Sequence, residues 1–299
     1  MVFFILVVLR FFLLLEKNFC LLIFNLYPLF KLINDCYWII VKIFLFWRMH
    51  VFLFINKICS MQNKKEILYH KMQFDSPYRS TIAFWDWILS MPCMKGSDTI
   101  LDIGTGMGSN VFYFQRVSPE KKFIGIDQNV KLIEVAKKHL LDNFVTNISF
   151  DVGDLYNLSK EKYVGIDGIV SLQLLSWLEN YEQPLQSMFD LSPRWIAASS
   201  LFYEGCLESY TTVRDYYRPD IFGNNFSLYH YNIYSLDKVK KLFFDHGYPN
   251  FYFVPFHIDI DLERNTKDLG TYTITTKHNE RLQFTGPLYL PWYFIFASK

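Results

Sequence analysis

No Cys-x-x-Cys pair and no Cys/His spacing of the kind that holds a metal occurs anywhere in this chain. Three of its five cysteines, Cys20, Cys36 and Cys59, lie in the first sixty residues, and Cys93 and Cys206 stand far apart beyond them. Such scatter excludes a disulfide framework and a zinc site, and implies free thiols in a reducing compartment, hence a cytoplasmic protein with no metal. A basic surplus is missing as well. The whole chain has 30 Lys and Arg against 29 Asp and Glu; residues 1–60 take six and two of these, so the remainder carries 24 against 27, or −3. Binding a phosphate backbone needs clustered positive charge, so nucleic acid is disfavoured as substrate or partner.

Residues 1–60 contain no Gly, Ala, Thr or Gln, and all 13 Gly fall later. What they do contain is 11 of the 30 Phe, with much Leu and Ile, interrupted by Arg10, Glu16, Lys17, Lys31, Asp35, Lys42, Arg48 and Lys57. A short basic start and a small-residue cleavage site are lacking, which argues against a signal peptide. Two readings remain. One is a membrane anchor of two imperfect spans, residues 1–15 and 37–55, with the catalytic domain in the cytoplasm. The other is translated AT-rich sequence upstream of a start at Met61, since spanning helices ordinarily use Gly and Ala freely. Either way the working domain is residues 61–299.

From residue 76 the hydrophobic period switches repeatedly between helix and strand. Residues 76–91 place Ile82, Trp85, Ile88 and Leu89 at helical spacing, with Ser80 as N-cap and Pro92 as stop. A strand is expected at Thr99–Ile103, a helix at 109–117, a strand at 123–126, and a helix at 129–141 capped by Asn129 that buries Leu132, Ile133, Ala136 and Leu140. Strands at Ile148–Val152 and Gly168–Ser171, a helix near 184–190 and a strand at Trp195–Leu201 follow. Strands separated by helices of this length imply βαβ units and a parallel sheet. Residues 205–232 break the rhythm. Ser235–His246 is then a helix with Ser235 as N-cap and Gly247 beyond its end, before strands at Phe251–Ile260, Gly270–Thr275, Arg281–Phe284 and Tyr289–Ala297.

The sharpest local signal is Leu101-Asp-Ile-Gly-Thr-Gly-Met-Gly108, a strand running into a glycine loop that opens a helix. Glycines let the backbone turn tightly and approach a ligand, and the helix start offers free N–H groups. In the dinucleotide fingerprint the third glycine comes one place later, where this chain has Ser109. Asp102 lies inside the strand, and a carboxylate beside the crossover suits a cationic ligand better than a pyrophosphate.

These residues resemble the first motif of the class I S-adenosylmethionine-dependent methyltransferases. The likeness continues in register through Ile124-Gly-Ile-Asp127, Phe150-Asp-Val-Gly-Asp154 and the fourth motif, residues 166–177. It covers residues 76–201, the last helix and two terminal strands. The resemblance implies a doubly wound α/β fold, Rossmann-like, with a mostly parallel seven-stranded sheet and one antiparallel edge strand. It implies S-adenosyl-L-methionine as cofactor, held by Asp102, Gly104, Thr105, Gly106, Gly108, Asp127, Gln128, Asp154, Leu155 and Ser171. Asp127 would grip the ribose hydroxyls, Asp154 would lie near the adenine amino group, and Asp102 near the cofactor's own amino group. Asp167 corresponds to an acid with a structural role. The fourth motif lacks the Asn/Asp-Pro-Pro-Tyr signature of amino-methylating enzymes and the Pro-Cys nucleophile of cytosine-methylating ones, which argues against methylation of DNA.

In open α/β sheets the ligand site lies beyond the carboxyl ends of the strands. Two segments are expected there as inserts, 203–232 and 261–288. The first is dense in aromatic and titratable side chains, and Glu204, Asp215 and His230 are its candidates for a general base. The second follows His257, Asp259, Asp261 and Glu263. An aromatic wall with interspersed acids suits a small-molecule or glycan acceptor, methylated on oxygen; the competing reading is that these aromatics are core and hairpin packing. The rival functions are a nicotinamide- or nucleotide-sugar-dependent oxidoreductase on a similar sheet, and a membrane-tethered binding module without chemistry.

Overall fold

Strand order follows from which residues can be buried on both faces. The computed structural model describes residues 72–216, 225–264 and 270–299. Both imperfect spans in residues 1–60 and the proposed start at Met61 lie outside the described residues. Five parallel strands form the centre: β1 (Thr99–Ile103), β2 (Lys122–Asp127), β3 (Ile148–Val152), β4 (Gly168–Leu172) and β5 (Trp195–Tyr203). With β9 (Asn250–Pro255) and β13 (Trp292–Ser298) they run in the order β3-β2-β1-β4-β5-β13-β9, and the short β8 (Tyr234–Ser235) pairs beside β5. β13 is antiparallel to both its neighbours, so the one reversed strand lies a place inside the edge and β9 forms the edge itself.

Period-two alternation sorts the strand side chains onto two faces. Ile100, Val170, Trp195, Ala197, Phe294 and Phe296 face one core. The helices closing it are α1 (Arg79–Leu89), α2 (Ser109–Val117) and α3 (Val130–Asp142). Leu101, Ile103, Ile169, Ile196, Ala198, Ile295 and Ala297 face the other, closed by α4 (Glu182–Asp190) and α5 (Leu236–Asp245). Helices on both faces make the sheet doubly wound.

Local choices agree with this frame. Asn129 and Ser235 cap their helices, Asn129 accepting from Lys131 N and Leu132 N and Ser235 from Lys238 N. Ser80 does not cap α1: Tyr78 holds the cap position without a side-chain capping bond, and the Ser80 hydroxyl accepts from Gln173. Within α1 the buried apolar residues are Phe84, Trp85 and Ile88, while Leu89 is exposed, so the inward stripe is rotated from the one its spacing predicts. Asp167 is structural: its Oδ2 accepts from Asp98 N and Thr99 N at 2.7 and 3.0 Å, fastening the start of β1 to β4.

Gly168 opens β4 opposite Trp195. A Cβ there would fall inside the Trp195 ring, whose Nε1 is fixed to Ser97 Oγ at 3.0 Å. Gly168→Ala is therefore expected to lower stability by about 1–3 kcal/mol through overpacking, read as a fall of several degrees in Tm. An unchanged melt would show that the indole can move aside.

Beyond β5 the chain leaves the sheet. Residues 205–232 hold a hairpin, β6 (Thr212–Asp215) with β7 (Ser227–His230). After β9 comes a three-stranded sheet of β10 (Thr271–Thr275), β11 (Arg281–Thr285) and β12 (Leu288–Tyr289). Leu201, Tyr231, Leu290 and Trp292 form a third apolar cluster that joins both inserts to the end of β5. Part of the aromatic density in these inserts is therefore packing. No helix among the described residues is long and apolar enough to cross a membrane.

Candidate active site

Every expected cofactor residue lies at or just beyond the carboxyl ends of β1 to β4. Gly104, Gly106 and Gly108 all have positive φ, at 76, 58 and 81°, a region open to glycine and costly for side chains that carry a Cβ. Space is short as well. A Cβ on Gly104 would stand 2.7 Å from Leu174 Cδ2, and one on Gly108 would enter the Phe150 ring. The loop is tied to β2 by Gly104 N and Thr105 N, which both donate to Ile126 O at 2.9 Å.

Asp127 ends β2 half-buried. Its Oδ2 accepts from Gly106 N at 2.9 Å and its Oδ1 from Asn129 N at 2.8 Å. These two bonds fix the carboxylate plane and leave each oxygen acceptor capacity for a ligand. Gln128 beside it is exposed. Gly153 N donates to Asp127 O, which brings the loop after β3 alongside; there Asp154 is exposed, with Oδ1 accepting from Tyr156 N, and Leu155 is half-buried.

Asp102 is 1% exposed and its Oδ2 meets no hydrogen-bond donor. Burial raises its pKa to about 7; the nearby Thr105 hydroxyl opposes the rise and the Asp127 charge adds to it. Thr105 Oγ1 and Ser199 Oγ are also buried without a partner. By strand alternation Asp102 and Ser199 face the α1–α3 side of the sheet. Ser171 is fully buried with an unpartnered Oγ too, but faces the α4–α5 side, away from Asp102. A buried carboxylate without a partner is costly, and a ligand bearing a cationic group would relieve it. A glycine cradle, two neighbouring acids and unpartnered hydroxyls therefore fit a polar, positively charged cofactor.

Residues 94–197 match a family model described as a methyltransferase domain. That stretch, about a third of the chain, is what likens it to the class I S-adenosylmethionine-dependent methyltransferases. Over 99 residues it is 34% identical to the release factor glutamine methyltransferase of Thermodesulfovibrio yellowstonii, covering 30% of this chain and 34% of that protein. Over 98 residues it is 28% identical to the arsenite methyltransferase of Halobacterium salinarum, covering 32% and 24%. The chain thus spans a quarter to a third of the length of these curated relatives. Among solved structures it superposes on the YcgJ protein of Bacillus subtilis with a TM-score of 0.44 at 12% identity, covering 73% of this chain and 98% of that one.

In this chain the three candidate bases lie in different places. His230 pairs with Thr212 across the hairpin, its Nδ1 3.3 Å from Thr212 Oγ1, whereas Asp215 pairs with Ser227 at the other end. Three strand positions separate them, roughly 10 Å. Asp215 is buried, His230 half-buried. Glu204 follows β5 directly, exposed, and accepts from Tyr293 Oη at 2.9 Å. Burial, with Glu204 second, pushes the Tyr293 pKa up to about 12. In the second insert Asp259 pairs with Arg79 at 3.2 Å and Asp261 with Arg281 at 2.8 Å, while His257 is exposed. The chain's Pro92-Cys93 pair lies in the turn before β1, at the amino end of the strands and away from this mouth.

Sequence reasoning missed Asn232 and Gln173. Asn232 is 1% exposed; its N donates to Ser176 O, its Nδ2 to Leu178 O at 2.8 Å, and its Oδ1 accepts from Thr211 N. This one side chain moors the hairpin over the segment that follows β4. Gln173 has φ 53°, and its Nε2 donates to Ser80 Oγ at 3.0 Å. A non-glycine residue in the left-handed region costs roughly 1–2 kcal/mol, and such outliers gather at ligand sites. Neither signal can be read from residue type and spacing.

Proposed function

We propose that this chain transfers a methyl group from S-adenosylmethionine to a small-molecule or saccharide acceptor, at oxygen, and that residues 61–299 suffice for it. The observation that carries the reading is the buried Asp102 carboxyl at the glycine loop, whose Oδ2 meets no donor, with Asp127 oriented nearby. When bound, the cofactor supplies a methyl group activated by a sulfonium. The chain's residues do the rest. Asp127 accepts from the ribose hydroxyls, Asp154 and Leu155 border the adenine, and Asp102 pairs with the amino group. Methyl transfer is an in-line displacement governed by positioning, and the loop after β4, moored to the hairpin through Asn232, is placed to hold the acceptor. The acidic balance of residues 61–299 and the mixed polar and aromatic inserts favour a small polar acceptor over a nucleic acid.

Calorimetry tests the cofactor, with S-adenosylmethionine and its demethylated product expected to bind and NADH not; tight NADH binding alone would overturn the reading. For the acceptor, labelled cofactor incubated with the protein and an extract of the source organism, followed by mass spectrometry, is expected to label low-molecular-weight material. A chain beginning at Met61 should be monodisperse and bind the cofactor as the full chain does. If it aggregates while the full chain folds in detergent, residues 1–60 are a membrane element.

For the base, His230→Ala and Asp215→Asn are expected to lower turnover tenfold or more, on the scale of a lost general base, with cofactor affinity unchanged. Each rate is measured beside a thermal melt. Variants that melt and turn over normally would make the hairpin scaffold, and would move the search to Glu204 and His257.

A further inference from the structure

Residues 72–80 contact the cofactor mouth at its two ends. At one end Gln73, 7% exposed, accepts through Oε1 from Ser109 Oγ at 3.0 Å, at the first residue of α2 just past the glycine loop. Phe74 beside it meets His139 of α3 with tilted rings at 4.2 Å and Phe112 of α2 edge-on at 5.4 Å. At the other end Ser80 Oγ accepts from Gln173 Nε2 at 3.0 Å, one residue past β4. Because β1 and β4 are neighbours in the sheet, a segment pinned after both strands crosses their carboxyl ends. It crosses on the α1–α3 side, the side that Asp102, Thr105 and Ser199 face with unpartnered buried oxygens. The Leu174 side chain, immediately after Gln173, fills the space a Cβ on Gly104 would need.

We propose that residues 72–80 are a strap over the bound cofactor, and that Gln73, Ser80 and Gln173 are positioning residues that retain it. The proposal rests on the methyltransferase reading. Polar atoms left without partners inside a folded protein indicate where a ligand belongs, and here Asp102 and Ser199 face the side of the sheet on which the segment packs. Gln173 adds the second argument. Its amide reaches Ser80 from a backbone held at φ 53°, a conformation that glutamine tolerates poorly and asparagine far better. The site therefore keeps a strained residue whose longer side chain makes the bond to the strap.

The test uses the full chain with S-adenosylhomocysteine as probe, measuring affinity by calorimetry, dissociation by stopped-flow displacement, and amide hydrogen exchange of residues 72–80. Exchange in the strap is expected to slow when the probe binds. Ser80→Ala, at a half-buried position, should speed dissociation by about three- to tenfold, the scale of one hydrogen bond. Gln173→Asn separates function from packing. It relaxes the backbone while falling short of Ser80, so the melting temperature should hold or rise while dissociation speeds up. A purely structural residue would move both in the same sense. Unchanged dissociation in both variants, with strap exchange indifferent to the probe, overturns the strap while leaving the family reading intact. A wild-type chain that binds no probe at all overturns the methyltransferase reading and the strap with it.

Discussion

Gly106→Val is expected to abolish measurable S-adenosylmethionine binding while leaving the far-ultraviolet circular dichroism of the sheet in place. Gly106 sits at φ 58°, where a β-branched residue is a genuine outlier, so valine must shift the loop. The shift has a second consequence. Gly106 N donates to Asp127 Oδ2 at 2.9 Å, one of the two bonds that orient the carboxylate meant for the ribose. Strain of about 1–2 kcal/mol and loss of a charge-assisted bond worth about 1.5–3 kcal/mol together come to about 2.5–5 kcal/mol. That is roughly two to three and a half orders of magnitude in Kd. The sheet survives because its strands are buried independently of the loop. Calorimetry gives the affinity and the spectrum gives the fold; near-wild-type binding would reduce the glycine loop to a tight turn.

The central sheet was legible because strands buried on both faces read as short apolar runs. Thr99–Ile103 and Gly168–Leu172 each stop at a polar or glycine-bearing crossover. The positions of two acids were legible against the same pattern: Asp102 lies inside β1 and Asp127 ends β2, and Asp127 meets the glycine loop through Gly106 N. The reversed strand one place inside the edge was not, since alternation in Trp292–Ser298 reports burial and carries no direction. The hairpin at Thr212–Asp215 and Ser227–His230 escaped because its strands are four residues each and half-exposed, so no run of alternation accumulates.

That Asp215 and His230 lie at opposite ends of one hairpin was not legible for a related reason. Register decides which residues face each other across a hairpin, and the spacing in the chain does not contain it. Ser80 shows the opposite limit. As a serine at the head of an amphipathic helix it has the type and place of an N-cap, yet a long-range partner, Gln173, takes its hydroxyl. Tertiary contacts override a local preference worth only about 1 kcal/mol.

The ligand-free protein is expected to lose stability as pH rises toward 7, while its affinity for the cofactor rises over the same range. Both effects come from Asp102, whose pKa burial raises from an ordinary 3.8 to about 7. An acid with a raised folded-state pKa binds its proton more tightly when folded. The penalty is absent below pH 4, grows between the unfolded and folded values, and is complete above pH 7. Its upper size is about 4 kcal/mol, from 1.36 kcal/mol for each of the roughly three pH units between the two values. On the role proposed for Asp102, binding runs the other way, because the cofactor's amino group would pair with the ionised carboxylate. Affinity should fall up to about tenfold per pH unit below pH 7 and weaken again once the amino group itself deprotonates, at roughly pH 8 or above. Asp102→Asn keeps the shape and removes the charge. It should therefore raise the melting temperature at pH 8, weaken cofactor binding, and flatten the affinity profile between pH 5 and 7. The variant's own profile subtracts the contribution of every other group. A wild-type profile as flat as the variant's would mean that Asp102 stays protonated with the cofactor bound, and that the amino group is held by another residue.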